Sequence, residues 1–306
     1  MKWLVQGITF TMLSVVCAQT PDGVAELKTE DLRRLLEDKD GDAATLAKSL
    51  LGTQDTNRLF YFPTHDIPAT PKDWGFAYDE VDFKSGDGTK LHGWFLKARG
   101  DRPKGTVVFS HGNAGSIGHH LGFVMWLAEA GYQVFIYDYR GFGESDGAVN
   151  REGMVQDVSA AFEYVVKRPD VDKEKIVSYG HSLGGAKSVT ALARKKLEGL
   201  RAIIIDGTFS SYQAMARVVG GDLGASLITD ELSPRESMKQ ITQTPLLVIH
   251  GDKDQVVPLA QGKELFELAN EPKTMFEVKG GTHGDSLARD GGAYRKRMLL
   301  WLDEVM

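Results

Sequence analysis

The chain has 306 residues, 42% of them hydrophobic and 25% charged, with a formal net charge of -6. These values suit a globular core of one large α/β domain or two small domains. No basic cluster is long enough to neutralise a run of phosphates, which excludes nucleic acid as a partner.

Lys2 is the only charge before Asp22, and Trp3 to Val16 is mostly apolar. This is the pattern of a secretory signal peptide, with cleavage after Ala18, so residues 1–18 read as a leader and the protein as exported, periplasmic or secreted. Two alternatives would tie the chain to a membrane. The apolar stretch is close to the roughly 20 residues that a retained transmembrane helix needs. Cys17 could also be lipidated, although Val16 stands where lipoprotein processing favours a small residue. Cys17 is the only cysteine, so cleavage would leave no disulfide to mark a redox compartment.

Residues 19–58 read as a helical extension, because Val24 to Leu51 sets leucines at helical spacing among charges, with a break at Asp40-Gly41. Leu59 to Pro71 is aromatic and proline-rich without periodicity and predicts an extended segment laid across a domain covering 59–306. From Trp74 two alternating runs, FAYDEVDF and KLHGWFLKA, flank Ser85-Gly86-Asp87-Gly88 and predict an antiparallel hairpin. Strand and helix then alternate. TVVFS, YQVFIYDY, IVSYG, RAIIID, PLLVIHG and KTMFEVKG read as strands, with helical stretches between them and a terminal helix AYRKRMLLWLDEV. Such alternation implies a mostly parallel central sheet with helices on both faces and ligands at the carboxyl ends of the strands. The interval 208–244 has no strand pattern and predicts a short cap insertion.

The chemistry centres on Gly180-His181-Ser182-Leu183-Gly184, a G-x-S-x-G turn with a strand before it and a helix after it. That context predicts an exposed Ser182 Oγ as nucleophile. A second copy, Gly143-Glu144-Ser145-Asp146-Gly147, lacks the tight strand-to-helix turn, so Ser145 reads as a loop residue. A serine needs a base, and on this architecture the order along the chain is serine, acid, histidine. Of the eight histidines, only His250 and His283 follow Ser182. His250 precedes its own best acid, which leaves His283 in GGTHGD as the base. Asp254, past the initial turn of GDKDQVVP, is the chosen acid, with Asp206 as the alternative and Asp252 as a turn former. The oxyanion would take backbone N–H groups of Leu183 and of Asn113 in His111-Gly112-Asn113-Ala114-Gly115. His119-His120 lack metal-ligand spacing, and no nucleotide-binding glycine motif occurs, so no cofactor or metal is expected.

Taken together, the loop His111 to Gly115, the run Tyr137 to Ser145, the turn Gly180 to Gly185, Gly251 to Asp254 with Val257-Pro258, and His283 resemble the α/β-hydrolase superfamily, and within it the Bem46-like serine hydrolases. The resemblance spans Phe60 to the C-terminus. It implies the α/β-hydrolase fold, a Ser182-Asp254-His283 triad, an Asn113 and Leu183 oxyanion hole, and small-molecule acyl ester or thioester substrates, occasionally peptides. Gly284 departs from the asparagine that relatives often carry after the base. The cysteine-rich N-terminus of the membrane-attached depalmitoylating relatives is missing, so that function does not carry over. The expectation is a carboxylesterase-like serine hydrolase, with an acyl thioesterase or serine aminopeptidase-like enzyme as the alternative. A non-catalytic binding module of the same fold is the reading from another class, and the complete triad speaks against it.

Overall fold

The structure, a computed structural model, describes residues 61–306. The leader reading of 1–18 and the helical extension of 19–58 lie outside the described residues. Residues 61–211 and 232–306 form one compact unit, whereas 212–231 belong to another. Within that second segment, α4 (Tyr212–Leu227) is broken where Gly220 and Gly221 leave helical backbone angles.

The hairpin forms as its turn signal predicts. Strands β2 (Tyr78–Lys84) and β3 (Lys90–Leu96) run antiparallel and close at the Lys84–Lys90 pair. The remaining strands are β4 (Thr106–Ser110), β6 (Gln133–Tyr137), β7 (Ile176–His181), β8 (Leu200–Asp206), β9 (Leu246–Gly251) and β10 (Lys273–Val278). With the hairpin they make one sheet of eight strands in the order β10-β9-β8-β7-β4-β6-β3-β2, parallel from β10 to β6. Strands β4, β6, β7 and β9 are buried along their whole length, which is why their sequences are apolar runs rather than alternations. The two-residue strand β1 (Phe62–Pro63) stands apart from this sheet and pairs with β5 (Ala114–Gly115).

Helices α1 (Leu121–Glu129), α2 (Arg151–Lys167), α3 (Leu183–Arg194), α5 (Pro234–Met238), α6 (Leu259–Leu268) and α7 (Arg289–Val305) complete the compact unit. The interval 208–244 holds helix and no strand. Strand order reverses at β4, whose neighbours are β6 and β7. A crevice opens at the carboxyl ends of strands where such a reversal occurs, so the loops after β4 and β7 are the ones that face it.

Candidate active site

The turn at Ser182 is tighter than its sequence suggests. Strand β7 continues through His181 and α3 begins at Leu183, so Ser182 alone makes the turn, at φ 53° and ψ -116°. A left-handed φ at a non-glycine residue costs about 1–3 kcal/mol and must be held by its surroundings. Here the Ser182 N–H is held by the carbonyl of Asp206, 2.8 Å away. Gly184 and Gly185 let the helix start close in, because a Cβ at either would collide with the Ser110 carbonyl or the Thr208 hydroxyl.

His283 and Asp254 meet across two loops. The Nδ1–H of His283 donates to Asp254 Oδ2 at 2.8 Å, and the Asp254 side chain is fully buried. The other carboxylate oxygen accepts the N–H groups of Val256 (2.9 Å) and Val257 (2.8 Å), which fixes its direction. Burial alone would raise this carboxyl. The His283 hydrogen bond, its charge and the two backbone donors outweigh that and hold it below the usual carboxylate range. Ser182 Oγ makes no hydrogen bond with His283 in the structure, a contact that commonly tightens only with substrate in place.

The alternatives fall to other tasks. Asp206 is buried at the end of β8, where Tyr179 donates its hydroxyl to it at 3.2 Å, and it has no bond to His283. Burial, moderated by the charge of His283 and the Tyr179 hydroxyl, pushes its carboxyl up to about 7. Asp252 caps the Gly280 N–H at 2.7 Å, the turn role expected of it. His250 donates Nε2–H to the Val257 carbonyl at 2.9 Å, which steadies the loop that carries Asp254.

Leu183 is the first residue of α3, so its N–H has no partner within the helix and lies at the positive end of the helix dipole. The Asn113 N–H is set by its own peptide plane. His111 donates Nδ1–H to the Gly112 carbonyl at 2.8 Å, and a planar trans peptide then directs the Asn113 N–H the opposite way. The Asn113 carbonyl is in turn held by the Phe62 N–H at 3.1 Å.

Residues 101–234 match the family model described as serine aminopeptidase, S33. The uncharacterized protein YfhR of Escherichia coli K12 is 36% identical over 245 residues, 79% of this chain and 85% of that protein. Protein bem46 of Schizosaccharomyces pombe is 32% identical, covering 72% of this chain and 76% of that one. The chain belongs to the α/β-hydrolase family, in its Bem46-like group. Its fold is that of the Pyrococcus furiosus esterase Pf2001, at a TM-score of 0.69 and 20% identity over 81% of this chain and 98% of that one.

In this α/β-hydrolase the second G-x-S-x-G is structural. Ser145 donates its hydroxyl to the Asp138 carbonyl at 2.7 Å and accepts the His92 N–H at 2.9 Å, so it bridges β3 to the loop after β6. The extended segment expected near Leu59 to Pro71 does more than cross the surface. Besides the β1–β5 pairing, the Thr64 carbonyl accepts the Gly143 N–H at 2.8 Å and Ser116 Oγ donates to the Asp66 carbonyl at 2.7 Å. The segment therefore straps the loop that carries Asn113.

Sequence reasoning placed His111 in the Asn113 loop and Asp138 in a quoted run without giving Asp138 a role, and it missed Gly207. Asp138 Oδ1 accepts the Ile117 N–H at 2.9 Å, and burial pushes its carboxyl up to about 8. Gly207 has a left-handed φ of 58°, and a Cβ there would lie 3.1 Å from His283 Nδ1. The sequence shows a lone glycine after a strand, with nothing to link it to a loop 76 positions away.

Among the described residues, Glu80, His92 and Glu144 bring three potential metal ligands within 4.8 Å of one another. Here they are joined by side-chain contacts through His92 Nε2. His92 Nε2 lies 2.7 Å from Glu80 and 3.4 Å from Glu144, and Trp94 also donates to Glu80 at 3.0 Å. A metal on Nε2 would force the ring proton onto Nδ1, which is buried with no acceptor, whereas metal-bound histidines almost always have one there.

Proposed function

We propose that this hydrolase cleaves carboxylic esters through an acyl-enzyme on Ser182. The supporting observation is the 2.8 Å bond from His283 Nδ1–H to the buried Asp254 carboxylate, in the loops after β9 and β10, on the same sheet whose strand β7 leads into a left-handed Ser182. Ser182 Oγ attacks the acyl carbon as His283 Nε2 takes its proton, and Asp254 stabilises the imidazolium. The N–H groups of Leu183 and Asn113 receive the oxyanion, each contributing about 3–4 kcal/mol to the transition state. The alcohol leaves with the proton from His283, and water activated by the same base releases the acid. The solved structure of a similar fold named as an esterase supports this substrate class.

The family model's description as a serine aminopeptidase favours an amide-cleaving reading as the second one. Initial rates on short-chain p-nitrophenyl esters, acyl thioesters and aminoacyl amides separate the readings, and a fluorophosphonate probe reports on the nucleophile. Ester turnover with labelling that disappears in Ser182→Ala is the expected result. Preference for aminoacyl amides, or a folded protein that never labels, would overturn it. The charge pattern of residues 1–18 supports export, and the N-terminal sequence of the mature protein tests that.

A further inference from the structure

His181, the residue immediately before the nucleophile, has no part in the chemistry above. It is 5% exposed at the end of β7. Its Nε2 lies 2.8 Å from the main-chain carbonyl of His283. A carbonyl can only accept, so Nε2 carries the proton and Nδ1 is the bare nitrogen. Burial foremost, and then the charge of His283, push the imidazole down to about 3, so the ring is neutral and has that single N–H to give. The ring lies 4.8 Å from the His283 ring and 4.2 Å from Phe123 of α1, centroid to centroid. It also meets the loop that carries Asn113: a Cβ on Gly112 would come 3.1 Å from His181 Nδ1.

One side chain thus touches the loop of the base and the loop of the second oxyanion donor while its own main chain leads into the nucleophile. The base loop needs such an anchor. Gly280, Gly281 and Gly284 surround His283, and glycine gives the backbone wide freedom. Its other ties, among them Lys253 N–H to Gly281 O at 2.9 Å, Gly280 N–H to Asp252 Oδ1 at 2.7 Å and Thr282 N–H to Asp285 Oδ1 at 2.7 Å, run to β9's turn and within the loop itself. The His181 bond is the tie to the strand that carries Ser182.

We propose that His181 is a positioning residue: by holding the His283 carbonyl it sets the separation between nucleophile and base. The proposal rests on the Ser182–His283 reading above. Positioning acts on the reacting geometry and leaves substrate contacts alone, so its loss appears in kcat and not in KM.

The test compares His181→Phe, which keeps the ring volume and loses the donor, with His181→Gln, whose amide nitrogen can take the place of Nε2–H. Rates are referred to sites titrated with the fluorophosphonate, so that a misfolded fraction does not count. In His181→Phe, kcat per titrated site should fall about 10- to 100-fold, the scale set by a misplacement near 1 Å. KM should stay within about twofold, and His181→Gln should recover most of the rate. An unchanged kcat per site in His181→Phe would overturn the proposal. Should that variant not fold, His181→Asn, too short to reach the carbonyl, is read by the same criterion.

A proton NMR readout separates this from the esterase reading. The low-field signal of the His283–Asp254 hydrogen bond should persist in the parent and in His181→Gln and be lost or broadened in His181→Phe. If the parent turns over no ester and the signal behaves this way, the positioning stands and the esterase reading falls. If the parent is active and the signal is the same in all variants, the positioning falls alone.

Discussion

Replacing Gly207 by alanine places a methyl group against His283 while leaving the identities of Ser182, His283 and Asp254 unchanged. The added Cβ would lie 3.1 Å from His283 Nδ1, 3.3 Å from its Cε1 and 3.5 Å from Asp254 Oδ2. Contacts of 3.1 Å and 3.3 Å are tighter than ordinary van der Waals distance, so the imidazole must move by a few tenths of an ångström. Its 2.8 Å bond to Asp254 is what such a movement stretches. The substitution also places a Cβ at φ 58°, a left-handed conformation that costs about 1–2 kcal/mol. For a domain of this size that lowers the Tm by about 2–8 °C. Gly75→Ala is the control, because Gly75 has φ 74° and nothing within 4 Å of its added Cβ. Both variants should lose similar stability. Only Gly207→Ala should lose kcat/KM on a p-nitrophenyl ester, by about 10- to 100-fold. Equal kcat/KM losses in the two variants, measured below their melting ranges, would refute the claim that Gly207 makes room for the base.

The two acids should separate under mutation. Asp254→Asn should lower kcat by about 10⁴-fold through the wrong imidazole tautomer, whereas Asp206→Asn, which has no bond to His283, should cost about tenfold or less. Initial rates with site titration check both. Asp206 also carries a pH signature. Its folded carboxyl stands at about 7 against 3.8 unfolded, so between these values the folded state binds the extra proton and stability falls as pH rises. Asp206→Asn removes that slope of at most about 1.4 kcal/mol per pH unit. Denaturant melts of variant and parent between pH 4 and 7 should therefore diverge in favour of the variant as pH increases. Ser145→Ala should leave fluorophosphonate labelling intact and cost about 1–3 kcal/mol of stability, since the buried His92 N–H loses its acceptor. Urea unfolding reads the second effect, and lost labelling in a folded variant would contradict the structural role of Ser145.

Much of this molecule is legible along the chain because its signals are local. Apolar runs of strand length, rich in β-branched and aromatic residues and bounded by turn signals, read as strands covered on both faces, and the alternation in β2 and β3 around Asp87-Gly88 reads as a hairpin. The failure of the second G-x-S-x-G is equally local, since three residues of loop separate Tyr139 from Gly143. The choice of acid is different in kind. Asp206 and Asp254 both follow strands, and only the packing of β8 beside β9 shows Asp206 turned to the Tyr179 hydroxyl and Asp254 turned to His283.

By itself, then, the sequence determined the order of strands and helices and which of the two G-x-S-x-G serines stands in a strand-to-helix turn, because backbone periodicity and glycine clearance act over a few residues. Tertiary structure alone decided which carboxylate meets His283, why Gly207 carries no side chain, that the segment after Tyr61 straps the Asn113 loop, and that His181 reaches the carbonyl of His283. These contacts join residues from 29 to 102 positions apart, closed by the parallel stacking of strands. No local pattern records a distance of that kind.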